Sequence, residues 1–186
     1  LAKQAGHTIV PTRASLVGIY TAENLSEAAG LSLKNVTLRL YDAKKKKPIY
    51  EELGEMLITH EGISGPLVLS ASSFMSTELS NYRIELDLKP GLSAEELDAR
   101  ILRDFSEKKN RDFANSLDEL LPRSFIPYVI RKSGIDPETK VHQIRHTALV
   151  IGESALEDPD LHCFPLRIRN EGHRIREFLP EGPVSI

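Results

Sequence analysis

Thr59-His60-Glu61-Gly62-Ile63-Ser64-Gly65-Pro66 gathers two glycines, a hydroxyl, an imidazole and a proline between a run that reads as a strand and a run with helical spacing. Upstream, Ile49 to His60 has strand character; downstream, Leu67, Ala71 and Phe74 fall at i, i+4 and i+7, with Pro66 suited to a helix's first turn. The stretch is therefore a bend from strand to helix. Gly62 and Gly65 allow backbone to approach a ligand closely, and Ser64 is placed to cap the helix. N–H groups left free at a helix start favour a carboxylate, a phosphate or a developing oxyanion, and His60 adds an imidazole able to donate a proton or a hydrogen bond. Spacing alone equally describes a plain turn in which glycine and serine satisfy geometry only.

Working outward, strands are expected at Ala14 to Ala22 and at Asn35 to Tyr41, where Val36, Leu38 and Leu40 alternate with Thr37 and Arg39. The polar segment Asp42 to Pro48, with its basic run Lys44 to Lys47, reads as the solvated tip of a long hairpin. Leu1 to Ala5 followed by Gly6 resembles the last turn of a helix. Tyr82 to Leu88 alternates again. Beyond Pro90-Gly91 helix formers take over, opening with the capping box Ser93-x-x-Glu96 and the apolar stripe Leu97, Ile101, Phe105. Further helices are expected at Phe113 to Leu121 and Ser124 to Lys132, the latter closed by Gly134, with Asp136-Pro137 as an N-cap and N1 pair. An amphipathic piece from Ile144 to Leu156 precedes two more strand-like runs, Leu161 to Arg169 and Ile175 to Leu179. The order strands, helices, strands predicts an α+β fold: a β-barrel from residues 1–90 and 159–186, with an all-helical subdomain, 91–158, inserted near Pro90 and Pro159.

The net charge of -3 gives no overall attraction to phosphate backbones, and no apolar run approaches the ~20 residues of a membrane helix. One cysteine, Cys163, excludes a disulfide framework and fits a reducing cytoplasm. His142 and His146 have i, i+4 spacing but lack a third ligand, so no metal site is expected. Arg167 and Arg169 share a strand face that reads as an exposed sheet surface, with anion binding as the alternative. P-loop, G-x-G-x-x-G, C-x-x-C and G-x-S-x-G patterns are all absent. The start at Leu1-Ala2-Lys3 reads as an internal boundary of a longer protein.

Gly6-His7-Thr8-Ile9-Val10-Pro11, Gly30-Leu31-Ser32-Leu33-Lys34-Asn35-Val36, Gly54 to Pro66 and Phe164-Pro165-Leu166 resemble, in this order, the middle of the BaiN/YhiN-like family of FAD-dependent oxidoreductases. The resemblance implies a domain inserted into a split Rossmann-type FAD domain and built of a small elongation-factor/reductase-like β-barrel with a helical subdomain resembling a helix–two-turns–helix module. It implies FAD, and an NAD(P)H-linked reaction, in the full-length protein. This stretch by itself is expected neither to hold FAD nor to catalyse. Its expected partners are the FAD-binding domain of the same parent chain and a small organic substrate, in the cytoplasm and away from membranes, with nucleic acid unlikely. On this reading the insert covers the flavin and shapes the substrate pocket, His60 is the candidate catalytic residue, and Gly62, Ser64 and Gly65 face substrate or flavin. Leu179 to Ser185 departs from the family's glycine-rich return, with Pro183 in a glycine's place, so no flavin contact is assigned there. The competing classes are a nucleic-acid- or protein-binding module, supported by Lys44 to Lys47, and an oligomerisation surface.

Overall fold

Alternating aliphatic residues build the sheet, and a change to helical spacing builds the elements that cover it. The computed structural model describes residues 1–10, 12–144 and 163–167. Strands β1 (Ile19–Tyr20), β2 (Ser32–Asp42), β3 (Tyr50–Ile58), β4 (Gly62–Ser64), β5 (Tyr82–Asp87) and β6 (Cys163–Arg167) form one antiparallel sheet in the order β1-β4-β3-β2-β5-β6. The α-helices among the described residues are α1 (Pro66–Ser72), α2 (Ala94–Glu107) and α3 (Ile126–Ser133), which makes the class α+β. The chain returns from the helices to lay β6 along β5.

Leu38 stands opposite Leu86 and Leu40 opposite Ile84; with Met56 and Ile58 of β3 they are wholly buried. Leu67, Val68 and Ala71 of α1 are buried as well, and α1 packs against β3. Each of these Leu, Ile, Val and Met side chains contributes about 1.5–3 kcal/mol by leaving water. The other sheet face is mixed: Leu53 and Leu57 are exposed on it, beside ion pairs in which Arg39 Nε donates to Glu51 Oε1 at 2.7 Å and Arg83 Nη2 lies 2.7 Å from Glu85 Oε1. As expected, Lys44 to Lys47 are exposed at the β2–β3 hairpin tip. The expected strand from Ala14 shrinks to Ile19–Tyr20 and a bridge at Thr21, because the residues before it bond to α1 instead. Arg13 donates to the carbonyls of Met75 and Ser73, and the Val17 amide to Ser72 Oγ at 3.0 Å. Leu1 to Gly6 is a single helical turn, closed by bonds from Gly6 N to Lys3 O and from His7 N to Ala2 O.

In the helical region the capping box forms both ways: Ser93 Oγ accepts from the Glu96 amide and Glu96 Oε2 from the Ser93 amide. The expected helix from Phe113 to Leu121 is only a 3-10 turn, Phe113–Asn115, followed by turns. Ser116 explains the stop, since its hydroxyl donates to Phe113 O at 2.7 Å and competes with helical bonding. Asp136-Pro137 starts no helix either. Asp136 Oδ1 accepts the Glu138 amide in a local turn, and the backbone at Pro137 and Thr139 then accepts from Ala114 and Phe113. Those cross-chain bonds take up groups a helix would need. Helix α3 ends as expected at Gly134, in left-handed conformation. The helical reading beyond residue 144, the strand at Ile175 to Leu179, the boundary at Pro159, and residues His146, Arg169, Arg174 and Arg176 lie outside the described residues, as does the stretch from Leu179 to Ser185.

One ion pair pins the helical region. Lys108 Nζ donates to Asp118 Oδ1 at 2.7 Å and lies 3.0 Å from Glu119 Oε1. The hydrogen bond from Lys108 holds the Asp118 carboxyl below its ordinary range, and the same bond raises Lys108. A carboxyl depressed in the folded state stabilises above its unfolded pKa, and that contribution disappears as pH falls through the folded value; a raised lysine stabilises below its unfolded pKa and loses this as pH rises through the folded value. The pair's contribution is thus constant between about pH 5 and pH 10. Asp118→Asn should lower Tm at pH 7, and thermal melts should find the gap to wild type closing below about pH 4.

Gly62 controls whether β1 joins the sheet. A Cβ there would lie 2.1 Å from the Ile19 carbonyl oxygen and 2.8 Å from Tyr20 Cα, so only glycine lets β4 sit against β1. Gly62→Ala should cost about 3 kcal/mol or more in urea unfolding, whereas Gly91→Ala should stay within about 0.5 kcal/mol. A Cβ at Gly91 meets nothing within 4 Å.

Candidate functional site

The Thr59–Pro66 stretch is a hairpin before it is a bend. Ile58 pairs with Ile63 and Leu57 with Ser64, and the Thr59 amide donates to Gly62 O at 2.9 Å. His60 and Glu61 therefore form the two-residue loop between β3 and β4, and both are exposed. Among the described residues the His60 ring has no hydrogen-bond partner, which leaves both nitrogens open to a ligand or water.

The other three candidates occupy different surroundings. Gly62 is buried under β1. Gly65, at φ 94°, is the residue that turns the chain from β4 into α1; a Cβ there would lie 2.9 Å from Leu57 N and 3.0 Å from Met56 Cα. The close approach that sequence offered to a ligand is thus made by the protein's own backbone at both glycines. Ser64 is half-buried and paired in β4, beside Gly18. It does not cap α1: the N-cap is Gly65, without a side-chain bond, because the strand extends one residue further than the spacing implied. With only seven residues, α1 is also too short for its start to serve as an anion site.

The sequence did not disclose the neighbour of the loop. The Thr21 amide donates to Glu61 O at 3.2 Å, and the next residues, Ala22 to Asn24, line a hollow of about 360 Å³ shared with Tyr128, Arg131 and Lys132 of α3. Burial and the charge of Glu23 raise the Tyr128 phenol well above its ordinary range, so it remains a neutral donor. Arg131 is engaged by Glu27 and donates to Asn24 O at 3.4 Å. That bond joins α3 to the β1–β2 connection. Amphipathic spacing announced the helix, but not which of its polar residues would meet a segment a hundred positions away.

The β4–α1 junction is not a cradle for a dinucleotide. Such a cradle needs a glycine turn between a strand and a helix whose N–H groups are open to phosphate. Here the β4–α1 junction is occupied by the chain's own atoms at Gly62 and Gly65. His142 is the other imidazole that the sequence analysis weighed. It lies in a 3-10 turn with Nδ1 2.7 Å from Lys109 O, and its i, i+4 neighbour lies outside the described residues.

Comparison with known proteins places this architecture. One curated relative, named ribosomal RNA dihydrouridine synthase, from Haemophilus influenzae, is 38% identical over 99 residues, covering 52% of this chain and 22% of that protein. The match thus spans under a quarter of that relative's length. Residues 13–151 match the family model described as HI0933-like protein barrel and H2TH domain. The sheet, the helices that come after β5 and that match together establish that the chain belongs to the HI0933-like family, the flavoprotein family that its motifs resemble.

Proposed function

We propose that this chain is the substrate-holding domain of a flavin-dependent reductase acting on uracil bases in RNA, with the His60–Glu61 loop turned towards the reacting base. The observation that carries this reading is the match to a relative named ribosomal RNA dihydrouridine synthase, within a family associated with FAD-binding proteins. It replaces the small organic substrate expected from sequence by a base within a polynucleotide, and it joins the cap reading to the binding-module reading. Dihydrouridine differs from uridine by one hydride and one proton added across the 5,6 double bond. A reduced flavin bound by other parts of the parent protein is the reductant the reaction class requires.

This chain's own contribution is then binding and orientation. An enzyme that works on a base must take it out of its stack and hold it by its edge. The hollow beside Thr21, at about 360 Å³, lies within the range of small-ligand sites, about 300–1,000 Å³. Its Tyr128 hydroxyl and the Asn24 amide are suited to the edge of a pyrimidine. His60 stands on the adjoining loop as a proton or hydrogen-bond donor, with Ser64 behind it, while Gly62 and Gly65 fix the loop's direction.

Mass spectrometry of RNA digests tests the reading. The intact protein that carries this chain, given NAD(P)H and uridine-containing ribosomal RNA, should add two hydrogens to a uridine. His60→Ala should lower kcat/KM by about 10²-fold while leaving the flavin spectrum unchanged. Unchanged turnover would remove His60 from the site, and reduction of small molecules but not of RNA would defeat the substrate assignment.

A further inference from the structure

Lys34, in β2, and Lys89, two residues beyond the end of β5, come to one groove. The groove, about 150 Å³, lies between the start of β2 with the residues after β5 on one side and Leu120 to Pro122 of the helical region on the other. Its lining contains those two lysines and no carboxylate. A bulge in β2 sets this up. Pairing steps from Leu33–Met56 to Val36–Gly54, so β2 holds one extra residue, and Asn35 takes φ 54°. Bulges bend a strand and re-aim its side chains, and this one falls at Lys34.

Neither lysine is neutralised. Glu55 lies 3.9 Å from Lys34 with both ends largely in solvent, a pairing worth little. Lys89 has no carboxylate at ion-pair distance among the described residues; Asp87 Oδ1 accepts its backbone amide. Partial burial and the charge of Arg100 both lower the Lys89 pKa. Arg100 in turn reaches Glu119 O with Nη2 and lies 3.7 Å from Asp104, yet its Nε is buried without a hydrogen-bond acceptor. Two cations beside one partly dry groove are unfavourable alone, and an anion between the groove walls relieves them.

We propose that this groove seats a backbone phosphate of an RNA strand between Lys34 and Lys89, at the junction of sheet and helical region. The inference rests on the RNA-reductase reading and adds to it a second contact that fixes the strand's register without reading sequence. Phosphate is favoured over an acidic peptide because the groove is narrow and its cations are few.

Fluorescence anisotropy of the intact protein with a fluorescein-labelled oligouridylate, titrated across salt, tests it. Lys34→Gln and Lys89→Gln should each weaken binding about fivefold and flatten the slope of log K against log salt, the double variant by about 0.7, the value of the one single-strand phosphate contact they share. Lys46→Gln, at the hairpin tip, should change neither. Equal slope changes for Lys46→Gln, or unchanged slopes for both groove variants at unchanged Tm, would overturn the groove. Polyglutamate displacing the probe in wild type but not in the groove variants would reassign it to an acidic protein. If the same preparations form dihydrouridine while the groove variants bind as wild type does, the groove alone fails. Absence of both product and binding overturns this inference together with the RNA-reductase reading.

Discussion

Where a side chain on residue 62 would stand, the carbonyl oxygen of Ile19 already lies, and much of the fold depends on that close approach. It lets β4 pair with β1 on one side and β3 on the other, so the short β4 is held from both edges. Through β1 the sheet fixes residues 12–21, whose Arg13 and Val17 bind the C-terminal end of α1. It also fixes the connection from β1 to β2: Leu25 and Ala28 are buried, and the 3-10 turn Ser26–Ala28 packs against α3. The helical region is therefore docked on that connection, near the hairpin loop that carries His60. One backbone contact thus sets the direction of the loop and the position of the hollow beside it.

This ordering explains why part of the architecture was legible in sequence. Alternation at Val36, Leu38 and Leu40, the polar tip before Pro48, the Ser93–Glu96 box and Gly134 are local signals, each with its whole cause within a few residues. Phe113 to Leu121 fails as a helix at Ser116, whose hydroxyl donates to Phe113 O, while its start is held from further along the chain: Thr139 O accepts the Phe113 amide, and Asp112 bridges to Lys140. Asp136-Pro137 has the composition of a helix start, but the same cross-chain pairing leaves it as a turn. Residues 14–18 carry strand composition yet give their bonds to α1. At residues 14–18 and at Asp136-Pro137 the cause is tertiary, partners taking up backbone groups that local preference would have used differently.

The candidate site shows the same boundary in sharper form. Glycines at 62 and 65 do mark places where a Cβ does not fit. Sequence had no means of telling whether the excluded volume belongs to a ligand or to Ile19, Met56 and Leu57. Conversely, Ala22 to Asn24 and Tyr128 carried no motif at all; their meeting is a product of the fold.

An acidic net charge does not decide what such a domain can hold. At physiological salt the field of a charge fades over about 8 Å, so a bound phosphate responds to its immediate neighbours rather than to the sum over the chain. Several carboxylates here are already answered: Glu51 by Arg39, Glu27 by Arg131, Asp118 by Lys108 and Asp112 by Lys140. Pairing of this kind removes negative charge locally and leaves Lys34 and Lys89 facing a groove without acids. A total of -3 and a basic groove are therefore compatible. The total limits long-range steering and indiscriminate binding; it leaves open a short-range contact made where the bulge in β2 meets the helical region.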